Sequence, residues 1–240
     1  MYNKLRSLPV LTLIALIALL SACTGVTRPG PVQRESKTVA LDSAEIADVH
    51  IRMGAGRLTI AGGADELADA EFIYNVAAWQ PTIDYVVGGE RGELWIEQPE
   101  VKSLGLESYR YEWDLRLNDE IPLRLDIALG AGEGKIDVST LSPTDLNLEM
   151  GAGSVDLDLT GAREQDVDVT IRGGVGEATI LLPSDTGVRA EVSGGLGNVN
   201  VYGLIQEGDT YINDAYGESD VTITLDIEGG IGDITLQVAD

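Results

Sequence analysis

Leu146-Asn-Leu-Glu-Met-Gly-Ala-Gly-Ser-Val-Asp-Leu-Asp-Leu159 decides the fold. It consists of two runs of alternating apolar and polar residues hinged on a Gly-x-Gly corner, and variants of it recur five more times along the chain. Taking the first glycine of each corner as the anchor, the copies stand at Gly54, Gly130, Gly151, Gly174, Gly195 and Gly230, and the intervals from Gly130 onward are 21, 23, 21 and 35 residues. A repeat of this length marks stacked units, each unable to bury its apolar face alone.

The register identifies the units as strands. Three residues before the anchors stand Ile51, Ile127, Leu148, Ile171, Val192 and Ile227, and five before stand Val49, Leu125, Leu146, Val169, Ala190 and Leu225. Between them come His50, Asp126, Asn147, Thr170, Glu191 and Asp226, so the period is two and one face is buried, a pattern no helix produces. Six residues past the anchors the apolar set resumes with Ile60, Ile136, Leu157, Ile180, Val201 and Leu236.

The glycine pairs Gly54 and Gly56, Gly130 and Gly132, Gly151 and Gly153, Gly174 and Gly176, Gly195 and Gly197, and Gly230 and Gly232 are read as structural corners. Glycine at both ends suits a backbone that turns with positive φ, or one pressed so closely on the corner above that a Cβ would clash. The predicted fold is all-β: a solenoid-like stack of two-strand rungs with Gly-x-Gly corners and an N-terminal β cap. The alternative is a meander in which each glycine corner closes a hairpin. Common spacing favours stacking, because rungs in register bury like residues over like.

The charge balance bounds the partners. Among 240 residues, 16 are Lys or Arg and 40 are Asp or Glu, for a net charge of −24. Nucleic acid is excluded as a partner, since phosphate binding needs a basic footprint. Such charge keeps a protein soluble at a crowded surface, and most of these carboxylates are expected to solvate strand faces.

At the N-terminus Lys4 and Arg6 precede the apolar run Leu8 to Leu20, which is too short to span a bilayer at about 20 residues. It reads as the apolar region of an export signal. Leu20-Ser-Ala-Cys23 follows, and resembles the bacterial lipobox, which implies cleavage before a lipidated Cys23. Cys23 is the only cysteine, so neither a disulfide nor a multi-cysteine metal site can form within the chain. One acyl chain anchors only marginally, and durable attachment takes two or three. Residues 24 to about 41 carry turn breakers and no apolar period, and are read as a tether.

The expected organisation is a lipoprotein signal over 1–22, a lipidated tether over 23–44, a first unit with an aromatic-rich cap over 45–120, and a repetitive β-stack over 121–240. Within 66–120 four strand-like runs break the rhythm, and Phe72, Tyr74, Trp79, Tyr85, Trp95, Tyr109, Tyr111 and Trp113 gather there. A stacked array needs an atypical end piece to cover its last rung and blunt its edge. Two readings of the aromatics stay open: filling of the cap core, or a glycan-stacking platform that includes Trp79, Tyr109 and Tyr111. The longest interval holds an insertion, Gly203 to Gly217, with Tyr202, Tyr211 and Tyr216 around it. It is either a loop projecting from the functional face, with Tyr211 and Tyr216 as ligand contacts, or a structural plug.

Trp113-x-Leu-x-Leu-Asn118, Ile121-Pro-Leu-x-Leu125, Gly130-Ala-Gly132, Asp145-Leu-x-Leu148, Gly151-Ala-Gly153 and Gly229-Gly-Ile-Gly232 together resemble the toast-rack domains of bacterial envelope proteins, which include cell-wall-stress response membrane proteins and adhesin-like proteins. The resemblance covers residues 45–240. It implies stacked β-strands and a non-enzymatic envelope role, with no catalytic, cofactor or metal residues to carry over.

The residues agree with a non-enzyme. His50, the sole histidine, lies at an outward position, and neither a nucleophilic cysteine nor a Gly-x-Ser-x-Gly elbow is present. Asp156 and Asp158 share an outward face near Asp137, the arrangement a polysaccharide-cleaving solenoid would need, but acids on strand faces are usually solvated. Gly229-Gly-Ile-Gly-Asp-Ile superficially resembles a calcium-binding nonapeptide. Its aspartate falls one place early and the repeat is far longer than nine residues, which rejects that motif. No cofactor is expected. The expected partners are the membrane, through the lipid, and an envelope protein or glycan. The expected location is the outer face of a bacterial membrane.

Overall fold

The computed structural model describes residues 29–99 and 109–239. Every interior rung is a single bent strand. These are β2 (Ile46–Ala64), β7 (Pro122–Asp137), β8 (Ser142–Asp158), β9 (Val167–Leu182) and β14 (Thr222–Val238), each running unbroken through its Gly-x-Gly corner. The last rung is β10 (Gly187–Leu196) continued by β11 (Val199–Tyr202). The two arms expected of a rung are therefore one strand folded at its middle. All neighbouring rungs pair in parallel with corner on corner, as in Gly132↔Gly153 and Gly153↔Gly176, which removes the hairpin meander.

The core lies inside the bend. Val49, Ile51, Leu125, Ile127, Leu146 and Leu148 from the first arms join Ile60, Ile136, Leu157 and Ile180 from the second in one buried cluster. Period-two alternation thus gives each arm an inner apolar face, and stacking like over like continues that face from rung to rung.

The two glycines of a corner are constrained differently. The second has positive φ throughout, from 131° at Gly153 to 154° at Gly197. The first is required by proximity: a Cβ at Gly151 would lie 3.2 Å from the carbonyl carbon of Gly130 and closer still to its oxygen. Both reasons anticipated for glycine are met: close approach at both ends of the corner, and positive φ at the second as well.

Spatial order departs from chain order. The rungs run β2-β7-β8-β9-β14-β10, so the C-terminal rung inserts between the two that precede it in sequence. The chain steps past one rung's width from β9 to β10, turns back through the insertion, and fills the space with β14. The insertion forms a hairpin of β12 (Ile205–Glu207) and β13 (Thr210–Ile212), and β13 pairs with β10 antiparallel through Arg189↔Ile212. It is a structural plug for the first arm of the last rung. Asn213 fixes it from a buried position, accepting the Val188 N–H and donating to the carbonyls of Pro183 and Thr186.

At the other end the cap forms as expected from β3 (Ala68–Tyr74), β4 (Thr82–Gly88), β5 (Arg91–Glu97) and β6 (Tyr111–Asn118). β5 continues the first arm of β2 and β6 continues the second. The tether requires a correction. Residues 33–39 are not a free linker but form β1 (Gln33–Val39), an edge strand antiparallel to β3. Its register escaped the apolar count because only Val39 is buried; ion pairs such as Arg34 with Glu71 and a Thr38–Asp69 hydrogen bond hold the rest. Cys23 and the export signal lie outside the described residues.

Candidate functional site

The residue just before each anchor divides the stack in two. In β2, β7 and β8 it is Met53, Leu129 or Met150, a buried side chain that fills the bend. In β9, β14 and β10, which are contiguous in space, it is Gly173, Gly229 or Gly194. A Cβ built at Gly173 or Gly194 would meet nothing within 4 Å. The missing side chains leave a groove of about 190 Å³ between the arms, walled by Ile171, Ala178, Ile227, Ile234 and Val199.

The middle residue of the corner changes in the same three rungs. Ala55, Ala131 and Ala152 give way to Val175, Ile231 and Leu196, aligned side by side and 52%, 54% and 72% exposed. Apolar bulk has in effect moved from inside the bend to its outer crest. The carboxylates of Glu177, Glu228 and Asp233 border the groove, Glu228 paired with Arg172 at 3.3 Å, and no Lys or Arg among the described residues lines it. Exposed apolar residues in a continuous row are what interaction surfaces show.

The two ends of the stack also differ in how the corner is closed. At the first rung the Gln98 side chain accepts from Gly54 N at 2.7 Å and Ala55 N at 3.1 Å. At the last rung no described strand pairs with the outer edge of β11. Val201, whose counterparts Ile136, Leu157 and Ile180 are buried, is half-exposed there.

Residues 28–181 match the family described as the N-terminal domain of toast_rack. The chain belongs to the toast-rack family. Residues 130–236 of this toast-rack chain also match the family described as cell wall-active antibiotics response LiaF, C-terminal. Among solved structures, a candidate cell adhesion protein from Clostridium sporogenes ATCC 15579 aligns over 87% of this chain and 100% of its own, at 39% identity and a TM-score of 0.84. A candidate adhesin from Bacteroides fragilis NCTC 9343 aligns over 88% of this chain and 100% of its own, at 13% identity and a TM-score of 0.33. No curated protein matches the chain.

Of the two readings kept open for Trp79, Tyr109 and Tyr111, the structure matches filling of the cap core and not a platform. Trp79 is only 4% exposed, and Tyr111 is equally buried, donating its hydroxyl to the Trp79 carbonyl at 2.7 Å. Burial pushes the Tyr111 hydroxyl far up from its ordinary value, with the Trp113 side chain lowering it and Tyr74 adding to the rise. Tyr109 packs against Trp79 with ring centroids 5.0 Å apart. These rings fill the cap core, because β6 turns alternate residues Tyr111, Trp113 and Leu115 inward. Tyr211 is half-buried in the plug against the core, and Tyr216 is exposed beside it. The five aromatics therefore split between the two ends of the stack and do not form one surface.

The outward polar ladder is organised at the cap end. His50 stacks on Trp95 with centroids 3.9 Å apart and planes 14° from parallel, and its Nδ1 lies 3.2 Å from Asp126 Oδ2. Asp126 also accepts from Arg52 and, at 3.1 Å, from Asn147. Burial works to raise the Asp126 carboxyl, but the hydrogen bonds from Arg52 and His50, the Arg52 charge and Asn147 outweigh it and hold the carboxyl below its ordinary value. Of the three acids weighed for glycan cleavage, Asp137 and Asp158 serve turns. Asp137 accepts from Ser139 N and Oγ, and Asp158 from Thr160 N and Oγ1, closing the second arms of successive rungs.

Proposed function

We propose that this chain is a non-enzymatic envelope lipoprotein that holds an interaction surface away from the membrane. One observation carries the reading: β1 and the open groove lie at opposite ends of the sheet, whose order runs from β1 through the rungs to β10, β13 and β12. A lipid on Cys23, only ten residues before β1, would seat the closed cap end towards the bilayer and turn the Val175–Ile231–Leu196 crest outward. A leader over residues 1–22 would export the chain and be removed at the lipobox. Two or three acyl chains on Cys23 would make the attachment durable.

The matches support an envelope setting, through a relative described as a candidate cell adhesion protein and a family described by its response to cell wall-active antibiotics. Aliphatic side chains and glycine backbone wall most of the groove, with the carboxylates of Glu177, Glu228 and Asp233 at its border, a lining suited to holding a partner. Cells expressing the wild type or Cys23→Ser, grown with labelled fatty acid and fractionated, test the anchor. The wild type should carry label and stay with the membrane through a salt wash, while Cys23→Ser carries none and melts at the same temperature. Wild-type protein that is unlabelled, or that salt releases, would overturn the reading.

A further inference from the structure

Among the described residues, the sheet that contains the second arms has two free edges, and they are built differently. At one edge β1 reads Gln-Arg-Glu-Ser-Lys-Thr-Val, a charged strand of the kind that discourages pairing. At the other, β11 reads Val-Asn-Val-Tyr, with Val199 exposed and Tyr202 58% exposed. The first arm of the same rung is closed by β13, so the plug covers half of the stack's end and leaves the other half open. Beside that opening run the groove and the crest.

Every interior rung receives a following rung on its second arm; β11 receives none among the described residues. A strand laid along β11 would take up its unpaired backbone groups and place alternate side chains inward over Val199 and Val201. Its other residues would face the solvent side, where Glu177 and Asp233 stand on the neighbouring arms. With no basic group among the described residues lining the groove, and the nearby Arg172 already paired with Glu228, acidic or anionic partners are repelled, and so is a second copy of a chain carrying −24.

Resting on the reading of this end as the presented surface, we propose that β11 accepts an extended segment of a partner protein by strand addition, and that the segment is apolar at alternate residues and basic between them. The segment continues the row of Val175, Ile231 and Leu196 at the corner. Beyond β11 it either ends or brings glycine, since at every interior corner the neighbouring carbonyl occupies the space a Cβ would need.

The probe is a fluorescein-labelled (Val-Lys)4 peptide titrated onto the full-length protein in zwitterionic nanodiscs and read by anisotropy. The peptide should bind, a Val4Lys4 block peptide of equal charge should bind at least about tenfold more weakly, and N-methylation at alternate residues should abolish binding, because strand addition needs the peptide's backbone hydrogen bonds. Val199→Asp, at an exposed position beneath the segment's apolar side chains, should weaken binding about tenfold or more with melting unchanged, whereas Tyr202→Asp, on the solvent face beside the lysines, should not weaken it. Val86→Asp, on the exposed face of β4 at the far end, should leave it unchanged. Equal binding of the block or N-methylated peptide would overturn the proposal, as would an equal loss in Val86→Asp, or a dimer in sedimentation that Val199→Asp dissolves. The titration reads this edge whether or not Cys23 is acylated, so its failure is distinct from failure of the anchor.

Discussion

The side-chain oxygen of Asn213 accepts the backbone N–H of Val188 at 2.9 Å, and that bond fastens the insertion to the end of the stack. Asn213 also donates to Pro183 O at 3.1 Å and Thr186 O at 2.8 Å, so one buried amide satisfies three backbone groups of the stretch 183–188. Asn213→Ala leaves all three without partners in a site water does not reach. The expected loss is about 2–4 kcal/mol in denaturant melts, with early hydrogen exchange at Val188. Asn213→Asp keeps the acceptor but turns a carboxylate on two carbonyl oxygens, and should be at least as damaging.

Acid should loosen the outward ladder at Asp126. Its carboxyl is held below the ordinary value, so its contribution to stability is complete above the unfolded pKa and is lost as pH falls through the lower, folded pKa. Asp126→Asn should cost about 1 kcal/mol at neutral pH and flatten the stability profile below about pH 4. Protonating the other carboxylates relieves repulsion in this acidic chain, so the informative quantity is the difference between wild type and variant across the pH series. Parallel profiles would show that Asp126 contributes nothing through its charge.

Filling the groove should stabilise the fold. Gly173 pairs with Met150 of the preceding rung, and a Cβ placed there meets open space. Gly173→Met restores the kind of apolar side chain that Met53, Leu129 and Met150 place in the bends of the first three rungs, and should add about 1 kcal/mol, seen as a higher Tm. A lower Tm would mean that the groove is not the empty counterpart of the Met150 site.

Much of this was legible before any coordinates. The register fixed which residues face inward, and Ile51, Ile127 and Leu148 are buried as their positions require. The order of the rungs was not legible, because Ile171, Ile227 and Val192 offer similar inner faces and β14 fits beside β9 as well as β10 would. β1 was missed because an edge strand held by charges carries no apolar period. Between the two readings of Trp79 and Tyr111 the sequence does not choose, because composition locates aromatics without saying which way they point; the structure places both in the cap core. The groove did leave a signal that went unread: Met53, Leu129 and Met150 against Gly173, Gly194 and Gly229 at one repeat position.

The stacking of glycine on carbonyl at each corner is tested most directly by comparing Gly153→Val with Val155→Ala. At Gly153 φ is 131°, and a Cβ would lie 2.9 Å from the Gly132 carbonyl carbon and closer to its oxygen, so valine meets both strain and a backbone clash. Val155 is buried two residues away, and its truncation should cost about 1–3 kcal/mol. Thermal melts of the two variants are predicted to show the larger loss for Gly153→Val, up to failure to fold. Equal losses, or a larger loss for Val155→Ala, would contradict the account.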